Sequence, residues 1–237
     1  MAFGNGPKIV TDGLVLALDA ADQNSYVSGS TTWNDVSGNN NSGSLVNGPT
    51  FNSANNGVLT FNGSNQYVST PIQNLSRPCT FSTWVNFNSL TGFQTIFGQD
   101  TSTVISRGRF YFQKAGATTE GLILNVVNFS IVLSNNAIVT VNAINPVVTN
   151  QWYNYSAVLT TTALSLYENG ILQNTVSNSN TFLTPNTNIL LNAGYFQDAI
   201  TDYVNARSSL FLIYNRALSA TEIQQNYEAQ KSRFNIA

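Results

Sequence analysis

Histidine is absent from the 237 residues, and Cys79 is the only cysteine. Together these absences remove the Ser-His-Asp triad, the Cys-His dyad and every zinc site built on histidine or cysteine, and with them most familiar hydrolase chemistry. Charge is scarce as well. Only 8% of residues are charged, 9 Lys+Arg against 11 Asp+Glu, so no long-range field recruits nucleic acid or anionic lipid. Nowhere do about 18 apolar residues run together, and Met1 to Lys8 has no basic region leading into an apolar one. Neither a membrane span nor a signal peptide is expected. What fills the surface instead is asparagine: 34 residues, often as Asn-Gly, Asn-Asn or Asn-Ser, dipeptides that favour turns because Asn tolerates positive φ and bonds its own backbone.

Many turns imply many short strands. Residues 1–8, with Gly4, Gly6 and Pro7, read as an N-terminal arm able to contact a partner, and Leu14 to Leu18 as a first strand apolar on both faces. Residues 20–57 are too long for a structureless loop, so short strands are expected inside them. Val58–Phe61 and Gln66–Ser69 read as a hairpin around Asn62-Gly63-Ser64-Asn65, and Thr80–Phe87 as a longer strand. In that strand Cys79, Phe81, Thr83, Val85 and Phe87 share one face, which makes Cys79 a core residue. Further strands are expected near 93–97, 108–113, 121–127, 129–134, 137–142, 152–160, 163–168, 171–176, 188–193 and 208–214. The pair at 163–168 and 171–176 flanks Asn169-Gly170, a strong short-range hairpin signal. So many strands of ordinary length pack as two sheets rather than one. The chain closes on a helix start: Ser219 and Glu222 form a capping box, and Leu218 with Ile223 a hydrophobic staple, for a helix over about 219–230.

Trp33-Asn34-Asp35-Val36-Ser37-Gly38-Asn39, Leu59-Thr60-Phe61-Asn62-Gly63 with Tyr67-Val68, Phe81-Ser82-Thr83-Trp84-Val85, Gln151-Trp152-Tyr153, Leu166-Tyr167-Glu168-Asn169-Gly170 and Ile213 to Ser219 with Glu222-Ile223 occur in that order. The ordered set resembles a laminin-G-like domain of the concanavalin A-like lectin/glucanase superfamily over about residues 9–230. The resemblance implies an all-β, two-sheet antiparallel jelly-roll sandwich over 9–237 with one short C-terminal helix. More narrowly, Gly6 to Ala20 and Asn226 to Phe234 resemble the ends of laminin-G-like proteins of tailed bacteriophages. That implies a virion surface protein, a capsid decoration or fibre component, with other virion proteins as partners through residues 1–8 and a capacity to form homo-oligomers.

Site candidates follow from the same residues. The family's calcium-ligating hairpin is here Asn62-Gly63-Ser64-Asn65-Gln66, without a carboxylate, so calcium is disfavoured and no cofactor is expected. Glycosidases of the superfamily carry a Glu-x-Asp-x-x-Glu strand because two carboxylates must flank the glycosidic bond; this chain has none, and is read as non-enzymatic. Phe196 to Asp202 reads as a loop. There Tyr195 and Phe196 offer an aromatic platform for a cell-surface glycan, with Asn192, Asp198 and Asp202 as hydrogen-bonding groups. Asp100, Asp198 and Asp202 are the weak metal candidates. Arg107, Arg109 and Lys114, interleaved with Phe110, Tyr111 and Phe112, form a small basic cluster that strand alternation explains without nucleic acid. Trp33, Trp84 and Trp152 are assigned to core packing. Three functions remain open: a structural virion protein, a glycan-binding adhesin and a polysaccharide hydrolase.

Overall fold

The computed structural model describes residues 7–100, 109–118, 121–133, 137–178, 180, 182, 184–196 and 199–236, without the side chains of Arg109 and Phe196. In chain order the strands begin with β1 (Leu14–Asp19), β2 (Thr32–Trp33), β3 (Gly43–Val46), β4 (Thr50–Asn52), β5 (Val58–Asn62), β6 (Tyr67–Ser69), β7 (Cys79–Phe87), β8 (Gln94–Gln99) and β9 (Arg109–Lys114). They continue with β10 (Val126–Val132), β11 (Ile138–Pro146), β12 (Tyr153–Leu159), β13 (Ala163–Glu168), β14 (Ile171–Ser177), β15 (Leu190–Leu191), β16 (Gly194–Phe196), β17 (Ala199–Thr201) and β18 (Asn205–Tyr214). Helix α1 (Ala220–Gln230) follows, and a 3₁₀ turn over Lys231–Phe234 is the last element.

Two antiparallel sheets result. The first runs β14-β13-β12-β7-β18-β5-β4, with β1 beside the second half of β18, and the other runs β11-β10-β9-β8-β15-β6-β3-β2. Alternation along each strand sends one set of side chains between the sheets. There Phe81 meets Phe110 at 4.7 Å and Phe97 at 5.3 Å, Phe97 meets Phe211 at 5.2 Å, and Trp33 packs edge-on to Phe211 at 5.8 Å. Cys79 lies in this core, and burial pushes its thiol up to about 12.

The outer face of the first sheet is covered by α1. Trp84, on the face of β7 opposite Phe81, stacks on Phe234 at 4.1 Å and Tyr227 at 5.7 Å, and its indole N–H donates to Gln230 Oε1. The capping box forms as expected: the Ser219 Oγ accepts from the Glu222 N–H, and the Ser219 N–H donates to Glu222 Oε2 at 2.8 Å. Arg216 adds a two-pronged ion pair to the same carboxylate, at 3.0 and 2.6 Å. Leu218 and Ile223 both sit in the cluster beneath the helix. Of the expected arm, residues 1–6 lie outside the described residues. The chain then lies along α1: Lys8 O accepts from Gln225, and the Val10 N–H donates to Asn226 Oδ1.

Some expectations need correcting. Val58–Phe61 and Gln66–Ser69 do not pair: β5 bonds β4 and β18 in the first sheet, whereas β6 bonds β3 and β15 in the second. Phe61 and Val68 both enter the core, from opposite sheets. Side chains satisfy the turn between them, since Gln66 Oε1 accepts from the Asn62 N–H and Asn62 Oδ1 from the Ser64 and Asn65 N–H groups. In place of two strands at 121–127 and 129–134 there is one, β10, over Val126–Val132, and residues 121–125 lie outside it. The expected loop at 196–202 contains half of an antiparallel ribbon, β16–β17. Residues 20–57 do hold short strands, β2, β3 and β4.

Candidate functional site

Among the described residues no helix covers the outer face of the second sheet. On β9, Phe110 and Phe112 point into the core, so Tyr111 and Gln113 point out; on β10 the outward residues are Ser130 and Val132, opposite Tyr111 and Arg109. On β11, Thr140 stands opposite Ser130 and Ile138 opposite Val132, and the Ser130 and Thr140 hydroxyls share a 2.8 Å hydrogen bond. An apolar stripe thus lies on a face where alternation alone would place polar groups. Ile138 is 49% exposed.

The β16–β17 ribbon lies along the same face, against β8. It gets that close because two glycines face each other: a Cβ on Gly98 would lie 2.9 Å from the Gly194 Cα, and one on Gly194 would lie 2.7 Å from Thr95 Oγ1. Hydrogen bonds pin it. The Tyr111 hydroxyl donates to Tyr195 O at 2.9 Å, the Thr95 N–H to Asp202 O at 2.8 Å, and the Tyr195 hydroxyl to Asn188 O at 3.3 Å. Between ribbon and sheet is a cavity of about 470 Å³. Phe93, Leu122, Val132 and Ile138 supply apolar wall, Tyr111 and Tyr195 aromatic faces, and Gln113, Ser130, Thr140, Thr201 and Asp202 the polar groups. Burial raises the Asp202 carboxyl above its usual range and the Tyr195 phenol above its own. The Thr201 hydroxyl oxygen is buried there without a hydrogen-bond partner.

A family model described as the concanavalin A-like lectin/glucanases superfamily matches residues 62–224, more than half of the chain. The chain belongs to this superfamily. No curated protein matches it. Among solved structures, this superfamily member is similar to the receptor-binding domain of botulinum neurotoxin C/D mosaic serotype, at 16% identity and a TM-score of 0.69, covering 93% of this chain and 52% of that one. The binding domain of botulinum neurotoxin DC in complex with SialylT gives 16%, 0.70, 93% and 52%. The binding domain of Paraclostridial Mosquitocidal Protein 1 gives 16%, 0.68, 92% and 52%. At this identity the likeness is one of fold. The chain spans about half the length of the solved chains it matches.

Of the expected site residues, Tyr195 and Asp202 line the cavity. Asn192 does not: it is fully buried, its amide bonded to the Ser208 hydroxyl and its backbone to Ile96 and Val204. Phe196 is the last residue of β16, and Asp198 lies outside the described residues. Asp100 is buried beside Thr187, whose N–H and hydroxyl both donate to its carbonyl. Among the described residues no group of three or more acids or cysteines is arranged to hold a metal ion. Of the basic cluster, only Lys114 is described with its side chain, and it is not at the surface. Arg107 and the Arg109 side chain lie outside the described residues, and Lys114 is buried, its ammonium donating to Leu90 O and Gly92 O while burial lowers its pKa to about 8. Trp33 and Trp84 are fully buried and Trp152 nearly so.

Residues that sequence reasoning missed are Phe93, Gln113, Leu122, Ser130, Val132, Ile138, Thr140 and Thr201. One signal was present. Val132 and Ile138 are apolar on the same face as Ser130 and Thr140, and so must be covered or left in water.

Proposed function

We propose that this chain is a non-enzymatic carbohydrate-binding domain that takes a glycan in the cavity between the second sheet and the β16–β17 ribbon. The cavity carries the proposal: Tyr111 and Tyr195 present ring faces beside amide, hydroxyl and carboxyl groups, the combination that holds a sugar by one apolar face and its hydroxyls. Membership of a lectin/glucanase superfamily supports it, as does likeness in fold to toxin binding and receptor-binding domains, one in complex with SialylT. A binding role is favoured over hydrolysis because Asp202 is the one carboxylate lining the cavity among the described residues, and glycoside hydrolysis needs two.

The setting we propose is the surface of a virion, as an adhesive structural component, and it rests on the resemblance carried by Gly6 to Ala20 and Asn226 to Phe234. No helix of the described residues is long and apolar enough to cross a membrane. A glycan array probed with the chain and with Tyr111→Ala tests the binding role. Selective binding by the first and its loss in the second is expected; no glycan bound by either, or sugar released from a bound polysaccharide, overturns it. Labelling intact phage particles with antibody to the chain tests the setting, and an unlabelled particle overturns it.

A further inference from the structure

Among the described residues, eleven other than glycine have positive φ, and ten of them are asparagine. The eleventh is Asp202, at φ 52°. Asn and Asp both tolerate this left-handed conformation, and at every other non-glycine position with it among the described residues the chain uses Asn. Backbone geometry therefore does not account for a carboxylate at 202.

Nor does the protein pair that carboxylate. Asp19 is held by Arg233, Asp35 by the Ala17, Ser37 and Asn41 N–H groups, and Glu222 by Arg216 and Ser219. The Asp202 carboxyl accepts no hydrogen bond and meets no cation among the described residues, and burial alone shifts its pKa upward. Beside it the Thr201 hydroxyl is also unspent. Leaving an anion short of water without a partner costs free energy that a ligand can return. A hydroxyl donor would satisfy the hydrogen bond only. An ammonium would satisfy both bond and charge, and the π faces of Tyr111, Tyr195 and Phe93 around the same cavity attract cations too.

We propose that the cavity selects an amino sugar, with the unacetylated, protonated amine against the Asp202 carboxylate and the sugar ring against Tyr111 and Tyr195. This rests on the glycan reading above and adds the charge of the ligand. N-acetylation, which removes the charge and two of the donors, opposes binding. The tyrosines are the other titratable groups lining the cavity among the described residues, and burial raises the Tyr195 phenol above its ordinary value.

The test is calorimetric titration of the full chain with glucosamine and N-acetylglucosamine trimers, alongside the neutral glycans of the array. The glucosamine trimer is expected to bind about tenfold tighter than its acetylated form, as a charge-assisted hydrogen bond provides. That preference should vanish in Asp202→Asn, which suits the left-handed backbone and so keeps the fold, and should fade as pH falls through the raised Asp202 pKa. Equal or tighter binding of the acetylated trimer, or a preference surviving in Asp202→Asn, overturns the inference. If neutral glycans then still bind at the cavity, the carbohydrate-binding role stands without it. If no saccharide of either kind binds, both fall together.

Discussion

The two sheets share one core, but their outer faces are finished differently. On the first, α1 and the 3₁₀ turn seat Tyr227 and Phe234 on Trp84, and the polar atoms in the contact are matched: Trp84 to Gln230, Tyr214 to Val10 and Asn226. On the second, a narrow ribbon held by a few hydrogen bonds leaves a cavity in which, among the described residues, the Thr201 hydroxyl has no partner and the Asp202 carboxyl meets no cation. Where a helix seats complementary side chains, as around Trp84, the contact is filled. A face covered by a ribbon keeps both volume and hydrogen-bonding capacity, which is what binding requires.

Mutations should separate the faces. Trp84→Ala should cost the most stability, about 3–5 kcal/mol, because it empties a fully buried site and orphans the Gln230 amide; urea denaturation checks this, and glycan binding should persist wherever the protein stays folded. Next is Gly98→Val, which forces a side chain against the Gly194 backbone. A loss of about 1–3 kcal/mol is expected, and, unlike Trp84→Ala, it should abolish binding in proportion beyond the fraction unfolded.

Removing the cap with Ser219→Ala should cost about 1 kcal/mol and leave binding untouched. Its partner makes this pH-dependent. Hydrogen bonds from Arg216 foremost, and from Ser219, hold the Glu222 carboxyl down to about 2 from an ordinary 4.5. Because the folded value is the lower one, Glu222 contributes its stability above about pH 4.5 and loses it as pH falls towards 2. Glu222→Gln should flatten the stability profile in that window, as read by thermal unfolding between pH 2 and 6. Smallest in stability is Ile138→Thr on the open face, expected within about 0.5 kcal/mol because the side chain is half-exposed, yet it should weaken ligand binding. If Ile138→Thr destabilised the protein as Trp84→Ala does, the contrast between the faces would collapse.

The first face was largely legible because its signals are local. Ser219 and Glu222 are three residues apart, Asn169 and Gly170 are adjacent with φ of 50° and 77°, and β13 spans Ala163–Glu168 as expected. The second face was not. Its cavity joins β9, β10 and β11 to a ribbon distant from all three in sequence, and the contact that forms it, Gly98 against Gly194, has no trace in either neighbourhood. Tyr195 and Asp202 were found from composition, because an aromatic beside a carboxylate is conspicuous where charge is so sparse. Asn192 looked equivalent and was not: its side chain points to Ser208 inside the sandwich.

By itself the sequence determined the two-sheet architecture, the closing helix, the core and the absence of histidine and cysteine chemistry. Periodicity, turn residues and caps act within a few positions, and composition holds whatever the fold. Only the tertiary structure decided that β5 and β6 join different sheets, that Lys114 is buried, and which face remains open. Those outcomes depend on which side chains fill the space between distant segments, and a hydrogen-bonded turn of five residues permits a crossing between sheets as readily as a return within one.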